Sequence, residues 1–297
     1  MSRRGWTPDD IGDLAGMTAI VTGASSGLGM IEARELARAG AGVVLAVRNM
    51  DKGREVAAAL PGRTEVRHLD MSSLASIHSF VDAWTGEVDI LINNAGVMLI
   101  PEDRSADGFE LQMGINYLGP FALTNLLLPR IRNAPTSRVV SITSQTNRRG
   151  RIQLDNVDGT RRPYSAFQSY ADSELATVYF TAELQRRLDN AGSSIRAVTA
   201  HPGIARTDLL RHATGIGRAV FRSTLWMFND AEHGAWPALY AATADVPGGS
   251  YVGPDGIGHL RGNPALHRPA RAARQPGVGP KLWEASARLT HTDFALA

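Results

Sequence analysis

Short apolar runs alternate with longer stretches in which apolar residues return every third or fourth position, and the alternation continues along most of the chain. Runs of the first kind suit strands buried on both faces; stretches of the second kind suit helices with one apolar side. Thr18 to Thr22 (TAIVT) and Gly42 to Val47 (GVVLAV) read as the first two strands, followed by EVRHL, VDILI, RVVSIT and SIRAVTA. Helices are predicted over MIEARELARAG and then over 73–84, 107–132 and 165–190. This order predicts an α/β fold, with one domain over 1–297 built on a doubly wound parallel sheet and helices on both faces. The ligand crevice of such a sheet lies at the carboxyl ends of its strands.

The turn after the first strand, TGASSGLG, gives that crevice a chemistry. Gly23, Gly27 and Gly29 permit a tight turn, close approach of backbone to a pyrophosphate and close helix packing, the arrangement of a Rossmann-type dinucleotide site. The N–H groups opening the next helix then face the phosphates. Arg48 ends the second strand, about 20 residues past the turn, where an acid would bind the ribose diol of NAD. An arginine there suits a 2′-phosphate, so NADP is expected rather than NAD. GASSG also fits G-x-S-x-G, which keeps a serine hydrolase using Ser25 as the rival reading.

Composition narrows the choice. The chain has 297 residues, 43% hydrophobic and 20% charged, enough for one large core. It has no cysteine, which excludes disulfides, zinc thiolate sites and a cysteine nucleophile. Its net charge is only +2 and its basic clusters lack interleaved aromatics, so no nucleic-acid partner is expected. The eight histidines lack metal-ligand spacing, so no metal site is expected. MSRRGWTPDD has no apolar core behind its arginines, and no run reaches the ~20 residues of a membrane span, so the expectation is a cytoplasmic protein without a membrane span.

Polar residues gather at successive strand ends: Asp70 after the third, Asn93 to Gly96 (NNAG) after the fourth, Ser144 after the fifth. Together with TGASSGLG, LDMSS, Asn116 in GINYLG, Tyr170 and His201 to Gly203 (HPG), they make the chain resemble the short-chain dehydrogenase/reductase family over nearly its whole length. DGFELQMGINYLGPFALTNLLLP, GSYVGP and KLWEASARLT are similar to the subgroup that includes retinol dehydrogenases and related bacterial oxidoreductases. The resemblance implies Gly23, Ser25, Gly27, Leu28 and Gly29 around the pyrophosphate, Arg48 at the 2′-phosphate and Asp70 with Met71 beside adenine. It implies Asn93, Ala95 and Gly96 on the ribose side, with Pro202, Gly203 and Thr207 toward the nicotinamide. Ser144 and Tyr170 would act on the substrate oxygen, and Asn116 would anchor a water in a proton relay, a satisfied core amide being its bland alternative.

One position departs from the family pattern. Glu174 follows Tyr170 by four residues, where relatives carry a lysine that favours the phenolate and binds the nicotinamide ribose. Positions i and i+4 share a helix face, so the carboxylate is expected beneath the phenol. Two unit charges ~6 Å apart at an effective dielectric of ~20 interact by roughly 3 kcal/mol, so reversing the sign is expected to hold the phenol well above its ordinary pKa. Three outcomes stay open: a working reductase on a lipophilic carbonyl or alcohol, an NADP-binding protein performing a non-redox cyclisation or dehydration, and a silent scaffold. Apolar residues over 204–236 suggest a lid on a lipophilic pocket, with amphipathic packing as the alternative. Many members of the family pair through the helices bearing Asn116 and Tyr170, while the longer subgroup includes monomers; the resemblance implies a homodimer, with a monomer as the alternative.

Overall fold

A computed structural model of the chain describes residues 5–203 and 230–296. The strands are β1 (Thr18–Thr22), β2 (Gly42–Val47), β3 (Thr64–His68), β4 (Ile90–Asn93), β5 (Arg138–Ile142), β6 (Arg196–Ala200), β7 (Tyr251–Pro254) and β8 (Pro264–His267). They form one sheet in the order β3-β2-β1-β4-β5-β6-β7-β8. Every residue of β2 and β4 is buried, because helices cover both faces and leave no side of these strands for water. The chain reverses its winding between β1 and β4, and the crevice opens at their carboxyl ends.

The sheet is parallel from β3 to β7, and β8 runs antiparallel to β7. The expected doubly wound parallel sheet is present, and the last strand adds an antiparallel edge: the connection over 255–263 is too short for a helical crossover, so the chain folds back as a hairpin.

Helices α1 (Gly27–Arg38) and α2 (Met50–Ala59) pack on one face of the sheet, and α3 (Leu74–Asp82) on the other. The predicted helix over 107–132 is shorter and uneven. Designated α4, it runs over 111–130 as an α-turn (Leu111–Met113), a π-helical turn (Gly114–Leu118), an α-helix (Gly119–Leu127) and a 3-10 turn (Leu128–Arg130). The π-turn carries Asn116, whose carbonyl accepts a hydrogen bond from Thr177 Oγ1 at 3.2 Å. Helix α5 (Ala166–Asn190) begins at Ser165, whose side chain accepts from the Gln168 N–H, and is buried almost all round from Ser169 to Thr181.

Helices α6 (Ala231–Thr243) and α7 (Val278–Thr290) complete the layers, α6 against α1 and α7 against α4 and α5. Residues 231–236 therefore belong to a packed helix, which shortens the lid expected over 204–236; its remainder, with Thr207, lies outside the described residues. On α7, Trp283 is 2% exposed, lies 4.8 Å from the Phe121 ring of α4 and stacks at 5.8 Å on Phe180 of α5. Through this cluster α7 is packed against both α4 and α5. Among the described residues no helix is long and apolar enough to cross a membrane.

Candidate active site

The glycine turn is held by side chains of β1 and of the loop after β4. Thr22 Oγ1 accepts the N–H groups of Asn94 and Ala95 at 3.0 and 2.9 Å, and Asn94 Nδ2 donates to the Thr22 carbonyl at 2.8 Å. A Cβ on Gly29 would lie 2.4 Å from Asn94 Nδ2, and one on Gly23 would lie 2.9 Å from Ala95 Cα, so both positions exclude a side chain. Gly27 differs: it adopts φ +57°, and a Cβ there would meet nothing within 4 Å. Ser26 caps α1 without a side-chain hydrogen bond, leaving the first N–H groups of the helix beside that open space, with Ser25 and Leu28 half-buried around it. A Gly-lined cavity over an uncapped helix N-terminus fits a pyrophosphate.

Arg48 is exposed at the end of β2 and has no carboxylate partner among the described residues. Asp70 Oδ1 accepts from the Ser72 N–H and hydroxyl at 2.9 and 2.6 Å, which fixes it at the rim, while Met71 is buried under α4. Asn93 is buried, and its Nδ2 donates to Thr124 Oγ1 at 3.0 Å inside the core, so at this strand end its side chain serves the sheet. Asn94, which the sequence reading passed over, faces the turn instead. Ala95 is half-buried and Gly96 exposed at the crevice.

Asn116 joins three segments. Its Oδ1 accepts from the Val97 N–H at 2.8 Å, and its Nδ2 donates to the Val97 carbonyl at 2.9 Å and to Ser173 Oγ at 3.0 Å. Its side-chain amide pins the loop after β4 to α5, while its main-chain carbonyl, with one donor in Thr177, keeps a lone pair for a water.

Ser144 follows β5 and starts a 3-10 turn (Gln145–Arg149). Beside it, Tyr170 is 8% exposed, and its hydroxyl faces the Ser144 and Thr146 hydroxyls. Burial first, and then the Glu174 carboxyl, hold the phenol far above its ordinary pKa; the two hydroxyls act in the opposite direction. Glu174 itself is buried without a cationic partner among the described residues, and burial pushes its carboxyl up to about 8 against the Thr143 hydroxyl and the Ser144 N–H. The only proton of Thr143 Oγ1 is donated to the Glu174 main-chain carbonyl at 2.9 Å, so that oxygen meets the carboxyl as an acceptor. Burial thus favours the neutral acid at Glu174 over the carboxylate that helical spacing alone leads one to expect beneath the phenol. Helical spacing set the direction of the side chain; burial set its proton.

The HPG turn (201–203) follows β6. His201 is buried, and desolvation with the neighbouring His267, His259 and Arg148 lowers it to about 3, so it is a neutral ring that shapes the turn by accepting the Gly203 N–H at 3.2 Å. Pro202 and Gly203 are half-buried there. The sequence reading also missed Asn147 and Tyr251, joined at 2.9 Å, since Tyr251 arrives from β7 far along the chain. Ser25 makes no hydrogen bond to a histidine or a carboxylate among the described residues, so the hydrolase reading lacks its base. Among these residues no group of three His, Asp or Glu is placed to hold a metal ion.

The short chain dehydrogenase family profile matches residues 17–215. Human retinol dehydrogenase 13 is 41% identical over 294 residues, covering 93% of this chain and 85% of that protein. Mouse polyprenol dehydrogenase is 38% identical over 291 residues, covering 93% and 84%. A crystal structure of an uncharacterised protein from Mycobacterium paratuberculosis superposes with a TM-score of 0.85 at 43% identity, covering 99% of this chain and all of that one. A short chain dehydrogenase from Burkholderia cenocepacia J2315, solved in complex with NADP, gives 0.64 at 25% identity, covering 80% and 96%. With a glycine turn, strand-end polar residues and a Ser144–Tyr170 pair arranged on a doubly wound sheet, the chain belongs to the short chain dehydrogenase family.

Proposed function

We propose that the protein is an NADP(H)-dependent oxidoreductase that reduces a lipophilic carbonyl compound, with Glu174 standing where relatives carry a lysine. The observation that carries this reading is the open space over Gly27 at the uncapped start of α1, in the same crevice as the Ser144 and Tyr170 hydroxyls. Gly23, Gly27, Gly29 and the first N–H groups of α1 would hold the pyrophosphate. Arg48, without a carboxylate partner, would bind the 2′-phosphate, and the Burkholderia NADP complex supports that choice over NAD. The dinucleotide, when bound, supplies the hydride.

Ser144 donates a hydrogen bond to the carbonyl oxygen and orients it, and Tyr170 gives that oxygen its proton as the carbon is reduced. A phenol held far above its ordinary pKa suits this direction, because reduction needs an acid and alcohol oxidation needs the phenolate. Glu174 keeps a second proton next to Tyr170 without placing a negative charge there at neutral pH. Names such as retinol and polyprenol dehydrogenase among the relatives support a lipophilic substrate.

The test is NADPH consumption on hydrophobic aldehydes, ketones and quinones, set beside NADP⁺ reduction with the matching alcohols. Reduction should exceed oxidation, and Glu174→Lys should raise oxidation at least tenfold by supplying a cation beneath the phenol. An unchanged oxidation rate in that variant would refute the role given to Glu174. Binding of NADPH without its consumption would favour a non-redox step or a scaffold.

A further inference from the structure

Thr146 carries a hydroxyl that the fold leaves without work. Its Oγ1 is shut off from water and has no hydrogen-bonding partner among the described residues. Thr177 and Thr181 on α5 donate to carbonyls one turn back and are satisfied there. A buried hydroxyl with no such partner costs stability, so it is retained for something other than the fold.

The chain on either side of Thr146 is fixed. It is the second residue of the 3-10 turn that follows Ser144, and its N–H donates to Ser144 Oγ at 3.3 Å. Asn147, next in the chain, donates from Nδ2 to the Ser144 carbonyl at 2.7 Å and to the Tyr251 hydroxyl at 2.9 Å. The turn closes at Gly150, where a Cβ would lie 2.3 Å from the Ala171 carbonyl oxygen of α5. Turn and helix thus meet one residue beyond Tyr170, and the Thr146 hydroxyl is held facing the phenol.

Ser144 and Thr146 face the same phenol with different commitments. Ser144 Oγ accepts the Thr146 N–H and, in the reductase reading, donates its proton to the substrate oxygen. Thr146 Oγ1 keeps its proton for another acceptor. As hydride reaches the carbonyl carbon, the Tyr170 O–H bond breaks, its proton passes to the substrate oxygen, and the electron pair stays on the phenol oxygen as a phenolate. No cation among the described residues meets that charge. A hydroxyl already in place in a dry site strengthens its hydrogen bond as the charge grows, and so acts in the transition state rather than before it.

From this placement we infer that Thr146 is a catalytic residue, its hydroxyl donating to the Tyr170 oxygen as the phenolate forms and standing in for the ammonium that relatives carry at position 174. The inference rests on the reductase reading and adds a third hydroxyl to its mechanism.

Thr146→Val removes the hydroxyl and keeps the branched shape. With NADPH and a hydrophobic aldehyde, kcat should fall at least tenfold in Thr146→Val with KM little changed, and Thr146→Ser should recover most of the loss. Because the lost oxygen has no partner in the resting fold, Thr146→Val should melt at the same or a higher temperature; a lower melting temperature would make the hydroxyl a structural group and overturn its catalytic role. In a Glu174→Lys background, where an ammonium supplies the charge, the same valine substitution should cost less than about threefold. Equal losses in the two backgrounds would deny that Thr146 stands in for the lysine.

A second readout needs neither cofactor nor turnover. Tyr170→3,5-difluorotyrosine gives the phenol its own fluorine resonance and a lower titration range. Adding Thr146→Val should raise the midpoint of that titration by about one pH unit, and adding Thr146→Ser should leave it within a few tenths. A midpoint unmoved by valine overturns the contact. Failure of the wild type to consume NADPH would sink the reductase reading, while the fluorine titration still decides whether Thr146 meets the phenolate.

Discussion

At Glu174 the sequence and the structure each supply half of the chemistry. The i, i+4 spacing from Tyr170 was readable and correctly put the two groups together, whereas the burial that keeps the carboxyl protonated depends on residues brought in from β5. Ionisation near pH 8 would set a negative charge against the phenol and the reacting oxygen. Carbonyl reduction should therefore fall above about pH 8, and Glu174→Gln should keep kcat/KM level through that range. A falling limb that persists in the glutamine variant would assign the titration to another group. Arg48→Asp should weaken NADPH binding by tenfold or more, about 1.4 kcal/mol, and leave NADH binding less affected; equal losses for both would place the 2′-phosphate elsewhere.

The strands and most helices were legible because period-2 burial, continuous apolar runs and glycine turns are local signals; β1 and β2 fall where TAIVT and GVVLAV put them. Helix α4 was less so. Its apolar pattern fits an α-helix from end to end and gives no sign of the π-turn at Gly114–Leu118, whose Asn116 carbonyl is met by Thr177 of α5. Asn93 and Asn94 show the same limit: successive side chains point to opposite faces, and only the placement of β1 and α4 decides which amide meets the glycine turn.

The strap over 150–164 is fastened to α5 by Asp172, which accepts the Arg151 N–H at 2.6 Å, Gln168 Nε2 at 2.7 Å and Arg162 Nη1 at 2.5 Å. Asp172→Ala leaves the half-buried guanidinium of Arg162 unpaired and should cost about 3 kcal/mol or more. Limited proteolysis should then cut within the strap, and resistance equal to that of the wild type would deny the clamp.

For the molecule as a whole, the two buried acids link stability to pH. Glu32 on α1 is fully buried with neither carboxyl oxygen hydrogen-bonded, and like Glu174 it is raised to about 8 by desolvation. The folded chain thus holds protons that the unfolded chain releases above about pH 4.5, so stability is greatest below that value and is lost as pH rises through about 8. Glu32→Gln should remove part of this slope and gain on the order of a few kcal/mol at pH 9 relative to pH 5 in urea unfolding. An unchanged slope would mean that Glu32 is solvated. Trp283→Ala should cost about 3–5 kcal/mol, because the ring closes the core between Phe121 and Phe180.

The sequence alone determined the α/β alternation, the glycine turn with an arginine at the end of the next strand, the Ser144 and Tyr170 candidates and the acid four residues further on. Those features follow from local periodicity and from spacing within a single helix or turn. Tertiary structure alone decided that the Glu174 carboxyl is buried and raised, that the Asn116 amide ties the loop after β4 to α5, that Asn94 rather than Asn93 braces the turn, and that α7 packs against α4 and α5. Protonation, amide satisfaction and burial depend on which distant segments arrive beside a residue, and no local pattern carries that information.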